Sequence, residues 1–216
     1  SYGKSAFMMA AEFGKTDILD YMMRYDGWNT ENDKFIRGRL CESGNSINQT
    51  CLHYGVKTSS LDLVKLLVEK SSNRADIIKA RSFTTGDTPL LWLSECTSPQ
   101  SVVIAEYILN VLEDEKEDVP LLLNRVGSYR DKEIVTPNAI NNCLMRAAKA
   151  GNLGLVELFM RYGADTFMNH YEYRNKVTFK SAAEYAYEAK FYDVAHHLDP
   201  ELTSSRLEGE FTRRCM

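Results

Sequence analysis

The sequence predicts an all-α solenoid of stacked helix-turn-helix units, because one short pattern returns along the whole of its 216 residues. A four-residue cassette occurs at Ser5-Ala6-Phe7-Met8, Thr50-Cys51-Leu52-His53, Thr88-Pro89-Leu90-Leu91, Asn142-Cys143-Leu144-Met145 and Ser181-Ala182-Ala183-Glu184. A second apolar cluster follows each copy at a fixed distance. Within both clusters the apolar residues recur at i, i+3 and i+4, the spacing of an amphipathic helix. A unit of this size cannot bury its apolar face alone, so it must stack on copies of itself.

The elements of one unit follow in order. The opening Ser or Thr suits a helix N-cap, where its side chain accepts from a free backbone amide. Five and six residues on stands a small pair or its relaxed version, Ala10-Ala11, Gly55-Val56, Ala147-Ala148 and Ala186-Tyr187, and the small residues let a neighbouring helix come close. Nine residues on come Gly14, Ser59, Gly151 and Lys190. The glycines there suit a left-handed residue that ends the helix and turns the chain back. A second helix then carries Ile18-Leu19, Leu63-Val64, Leu155-Val156 and Val194-Ala195. The copy at Thr88 keeps this order with three extra residues in its turn. Between units, 75–88 and Gly163-Ala164-Asp165 read as extended turns projecting from the stack.

This pattern resembles the ankyrin repeat. Gly86-Asp87-Thr88-Pro89-Leu90, Thr50-Cys51-Leu52-His53, and Ala147-Ala148 to Gly151 with Gly163-Ala164-Asp165 carry the likeness. It implies an ankyrin-repeat solenoid over 1–200, with five repeats starting near Gly3, Asn48, Gly86, Ile140 and Thr178, and 201–216 as a C-terminal cap or tail. Successive cassettes lie 45, 38, 54 and 39 residues apart, against about 33 for the family repeat. The surplus is expected to leave the stack as insertions at 25–49 and 110–141. In the second, Glu113 to Asp118 is an acidic run of the kind usually found in solvated loops. The apolar stretch Val119-Pro120-Leu121-Leu122-Leu123 should pack back on the stack.

Composition narrows the function classes. With 44% hydrophobic and 26% charged residues, the chain can bury a substantial core. A net charge of −4 argues against nucleic-acid binding, which needs a concentrated positive surface. No apolar run is long enough to insert in a membrane. Cys41, Cys51, Cys96, Cys143 and Cys215 are odd in number and widely spaced. They draw neither a disulfide framework nor a metal site, so a reducing, cytoplasmic setting is expected. No catalytic constellation stands out, and no cofactor or metal is expected. Cys51 and His53, at i and i+2, point to different helix faces. The resemblance makes His53 a structural residue that supports neighbouring turns by hydrogen bonds.

The candidate site is a stripe. The slot after each cassette holds Met9, Tyr54, Trp92, Arg146 and Tyr185, with Phe13 one turn beyond Met9. The resemblance implies that this slot faces a concave groove which, with the finger tips, contacts partners. Trp, Tyr and Arg are the residue types enriched in interface hot spots. Lys57, Lys149 and Glu188 are expected to form a charged rim, or the enlarged loops to cover part of the stripe. The function expected is a non-catalytic protein-protein interaction module for a protein or extended peptide, monomeric or part of a longer chain. The alternative is the substrate-recruiting part of a larger enzyme, or of an effector that a bacterium or parasite delivers to host cytosol, since irregular, loop-heavy repeats resemble such proteins.

Overall fold

The computed structural model describes residues 4, 6–25, 49–71, 73–82, 85–125, 141–167, 172–173, 176–177 and 180–205. Gly3, Ser5, Cys41, Cys215 and nearly all of the expected insertion at 25–49 lie outside these residues, as do 126–140 of the second insertion. Among the described residues the helices are α1 (Ala6–Glu12), α2 (Thr16–Tyr25), α3 (Cys51–Gly55), α4 (Leu61–Glu69), α5 (Arg74–Lys79), α6 (Pro89–Leu93) and α7 (Gln100–Asp114). They continue with α8 (Val119–Asn124), α9 (Cys143–Ala150), α10 (Leu153–Arg161), α11 (Ala182–Glu188) and α12 (Tyr192–Leu198). Residues 200–205 are also helical. A two-stranded antiparallel ladder, β1 (Glu172–Tyr173) with β2 (Lys176–Val177), sits on the finger before α11, in an otherwise helical fold.

The helices pair as α1/α2, α3/α4, α6/α7, α9/α10 and α11/α12. The first helices stack in one row, α1 on α3, α3 on α6, α6 on α9 and α9 on α11. The second helices form another row, α2 on α4, α4 on α7 and α7 on α10. Between the rows lies a continuous core that includes Leu52, Leu67, Ile104, Ile108, Leu144 and Phe159. The N-caps act as their residue types require. Thr88 Oγ1 accepts from Leu91 N at 3.3 Å, and Asn142 Oδ1 accepts from Met145 N at 2.9 Å. Ser181 and Glu184 close a reciprocal capping box, Ser181 Oγ accepting from Glu184 N and Glu184 Oε2 from Ser181 N.

The turn column is left-handed in all four copies. Gly14, Ser59, Gly151 and Lys190 have φ of 64°, 58°, 73° and 69°. In three of them the next residue's amide reaches back to the helix: Lys15 N to Ala10 O, Asn152 N to Ala147 O and Phe191 N to Ala186 O, at 2.8, 3.1 and 2.9 Å. This Schellman closure satisfies carbonyls that a helix end would otherwise leave bare.

Two segments differ from expectation. The stretch after α4 is not wholly extended: Arg74–Lys79 is helical, N-capped by Asn73 and with Ala75, Ile77 and Ile78 buried. Burial of these three apolar side chains outweighs the tendency of a short finger to stay open. The acidic run is not simply solvated either. Glu115 meets Arg74 at 2.6 Å and Glu117 meets Lys79 at 2.5 Å, so the end of α7 clips α5. These pairs are part-exposed, and each contributes at most about 1 kcal/mol. Helix α7 runs to Asp114, so the repeat scaffold continues past the expected insertion start at 110. Val119 and Leu123 of α8 are buried, and Asn124 grips the next finger through Gly163 O and Asp165 N.

The turn column yields a paired prediction. Lys190 is exposed and strained, so Lys190→Gly should raise stability by about 1 kcal/mol. Gly151→Ala should lower it, because the new Cβ would overlap the Phe191 ring at a positive φ. Urea denaturation of the two variants checks both signs.

Candidate partner-binding groove

The slot residues form a run of contacts along the row of first helices. Tyr54 on α3 meets Trp92 on α6 edge to face, with centroids 5.9 Å apart and planes at 90°. His53 meets the same indole at 5.2 Å. The Trp92 ring is thus held from two sides while staying half-buried. Lys57 Nζ stands 4.2 Å above it, and Lys4 and Lys180 stand over Tyr54 and Tyr185 at 4.7 and 5.8 Å. A lysine over an aromatic face fixes the ring and holds a charge at its rim.

Not all of the stripe is surface. Tyr54 is buried, and its hydroxyl donates to Gln49 Oε1. Arg146, expected in the exposed stripe, has a side chain only 3% exposed. Its NH2 donates to Asp87 Oδ1 at 2.6 Å, its NH1 to Asp87 Oδ2 at 3.2 Å and Glu95 Oε1 at 3.0 Å, and its Nε to Asn141 O at 3.3 Å. A buried guanidinium demands such partners, and the finger turn before α6 and the segment before α9 supply them. Lys149 and Glu95 remain at the surface, where with Asn141, Arg146 and Ala150 they line a cavity of about 180 Å³. Tyr185, half-buried, bonds the Asn141 side chain; burial pushes its hydroxyl pKa up and Lys180 lowers it. Met9 lies on α1 and Phe13 in the turn that follows it, 42% and 66% exposed.

The structure therefore brings Tyr54, Lys57 and Trp92 into one cluster and places Arg146 and Lys149 at the neighbouring cavity. Glu95, Asn141, Lys4 and Lys180 also stand against these residues and were not expected there. Their only sequence signal is distance from the stripe by one turn of helix or one cassette position.

His53 occupies a structural site. The Thr50 amide donates to Nδ1 at 3.0 Å, and Nε2 lies 3.0 Å from Asp87 O. An amide can only donate and a carbonyl only accept, so the ring is the neutral tautomer protonated on Nε2. Cys51 and Cys143 are buried, and burial pushes both thiols up to about 12, away from reactive thiolate. Among the described residues no group of His, Cys, Asp and Glu is placed to hold a metal ion, and no helix is long and apolar enough to cross a membrane.

Paired helices in two rows, with left-handed turns and fingers between pairs, define a helical-repeat solenoid. Residues 48–81, which span α3 to α5, match the family model of the ankyrin repeat. Those residues thus carry an ankyrin repeat, a unit that serves in protein binding. No curated protein matches the chain.

Burial of His53 gives stability a pH dependence. Desolvation holds its pKa at about 4, below the ordinary 6.5, against the opposing pull of Asp87. Between these values the unfolded chain takes up a proton that the folded chain refuses. The contribution is complete above pH 6.5 and is lost as pH falls toward 4. Unfolding free energy from this group should be about 2 kcal/mol lower at pH 5 than at pH 7. Urea titrations at the two pH values should show that slope flatten in His53→Asn.

Proposed function

We propose that the chain is a non-catalytic interaction module that holds an extended protein segment along the row formed by α3, α6, α9 and α11. The observation that carries this is Trp92, half-buried and fixed by His53, Tyr54 and Lys57 before any partner arrives. An anchor already in one rotamer loses little entropy on binding, and indoles are over-represented among residues that dominate interface energies. Beside it, the cavity lined by Glu95, Asn141, Arg146 and Lys149 can admit one partner side chain next to a wall of fixed charge. Lys57 and Lys149 form the rim, Tyr54 and Arg146 support from beneath, and Tyr185 extends the surface toward α11. Met9 and Phe13 lie at its far end.

Catalysis has no place in this function, because the buried thiols are held protonated and His53 is committed to its two hydrogen bonds. Among the described residues Cys51, Cys96 and Cys143 are outside any disulfide, which fits a cytoplasmic, reducing setting.

The test is capture from cytosolic extract by the chain and by two variants, Trp92→Ala and the pair Lys57→Glu with Lys149→Glu. The lysine pair is exposed and should leave melting unchanged. Trp92→Ala should weaken the captured complex by at least about 2 kcal/mol, some thirty-fold in affinity. A complex that survives both variants, with both still folded, would place the binding surface elsewhere.

A further inference from the structure

Seven residues after the opening residue of each cassette stand Glu12, Lys57, Glu95, Lys149 and Glu188, and all five are exposed. One comes from each helix pair. The first helices stack in chain order, α1 on α3, α3 on α6, α6 on α9 and α9 on α11, so this column runs along the row and reverses its sign at every step. Glu12 closes α1, and Lys149 and Glu188 lie in the last turns of α9 and α11. Lys57 and Glu95 lie in the turns that follow α3 and α6.

The middle three members frame the Trp92 anchor. Lys57 Nζ stands 4.2 Å above the indole. Glu95 follows Trp92 by three residues, about one helical turn, and lines the neighbouring cavity together with Lys149. At the two ends the column is already paired within the chain. Lys4, just before the first cassette, meets Glu12 at 2.6 Å, and Lys180, just before the last, meets Glu188 at 2.8 Å. Glu95 touches Arg146 NH1 at 3.0 Å, yet its side chain is 44% exposed and keeps a face toward solvent. An ammonium resting on a ring keeps its full charge. Lys57, Glu95 and Lys149 therefore present plus, minus and plus around one indole.

We propose that the segment held by this row is a polyproline II stretch that carries a carboxylate, a cation and a carboxylate at every third residue, opposite Lys57, Glu95 and Lys149. This chemistry rests on the reading of the row as the binding surface. Helices packed side by side lie about 8–10 Å apart. A polyproline II chain completes a turn in three residues and rises about 9 Å in doing so, which presents like-facing side chains at the spacing of the row. A β-strand covers a similar length in three residues but turns residue i+3 to the opposite face. Exposed ion pairs add little affinity one by one, but their order of sign sets the register and rejects a segment of the reverse order.

Three end-capped, labelled peptides test the pattern by fluorescence anisotropy. They are Glu-Pro-Pro-Lys-Pro-Pro-Glu, its sign-reversed form Lys-Pro-Pro-Glu-Pro-Pro-Lys, and Glu-Pro-Lys-Pro-Glu, which has the two-residue spacing of a strand face. At low salt the first should bind about ten-fold tighter than the other two, and its margin should shrink as salt is added. With Lys57→Glu and Lys149→Glu combined, the first peptide should lose its lead and the sign-reversed peptide should gain affinity. Equal binding of all three, weakened alike by Trp92→Ala, overturns the charge pattern and leaves the row as the binding surface. Equal binding that Trp92→Ala does not touch removes the row as well. Failure of all three to bind at millimolar concentration also overturns the pattern. So does a lowered Tm in the double lysine variant with peptide preference unchanged, since the alternation would then serve the stack.

Discussion

Asp87 joins three helix pairs through two different groups. Its carboxylate takes both arms of the Arg146 guanidinium, from α9, in a pair that is 3% and 6% exposed. Its carbonyl accepts from Ser82 N within its own finger and lies 3.0 Å from His53 Nε2 on α3. Charges this deep are tolerated only with near-complete hydrogen bonding, since removing one partner leaves an uncompensated ion in the interior. Asp87 therefore has one position that serves the helix pairs before and after it. Gly86, at φ 68°, lets the chain reach that position.

The proposed binding surface would take its rigidity from this cross-link. His53 is held by Thr50 and Asp87, and it in turn sets one wall against Trp92. Arg146 holds Glu95 at the edge of the cavity and binds the carbonyl of Asn141, whose side chain meets Tyr185. Structural polar groups in the middle of the stack thus determine where the half-buried Trp92 and Tyr185 rings stand. Binding surfaces on solenoids draw their selectivity from such fixed side chains, and the scaffold itself carries none.

Local features of the fold were readable from the residues. The N-caps and the left-handed column depend on side chains and φ values within one turn, so Thr88, Asn142, Ser181 and Gly151 announce themselves. Ser59 and Lys190 share that column although their residue types do not favour it, and only the repeat register points to them. Features that depend on distant partners were less readable. Arg146 stands in a slot that periodicity assigns to the surface, and its burial follows from a carboxylate 59 residues away. The run from Glu113 to Asp118 looks like a solvated loop until Arg74 and Lys79, about forty residues earlier, are brought beside it. Helix α5 was missed because six residues are too few for periodicity to separate a helix from an apolar turn.

The central claim is that the Asp87–Arg146 pair couples α6 and α9 as a single buried ion pair. A double-mutant cycle measures that coupling directly, using urea unfolding of Asp87→Leu, Arg146→Leu and the two combined. Each single change should cost about 3–5 kcal/mol, because it strands the other charge, and the combined change should cost far less than their sum. Costs that simply add would show that the two side chains act independently, and that the middle of the stack is held by apolar packing alone.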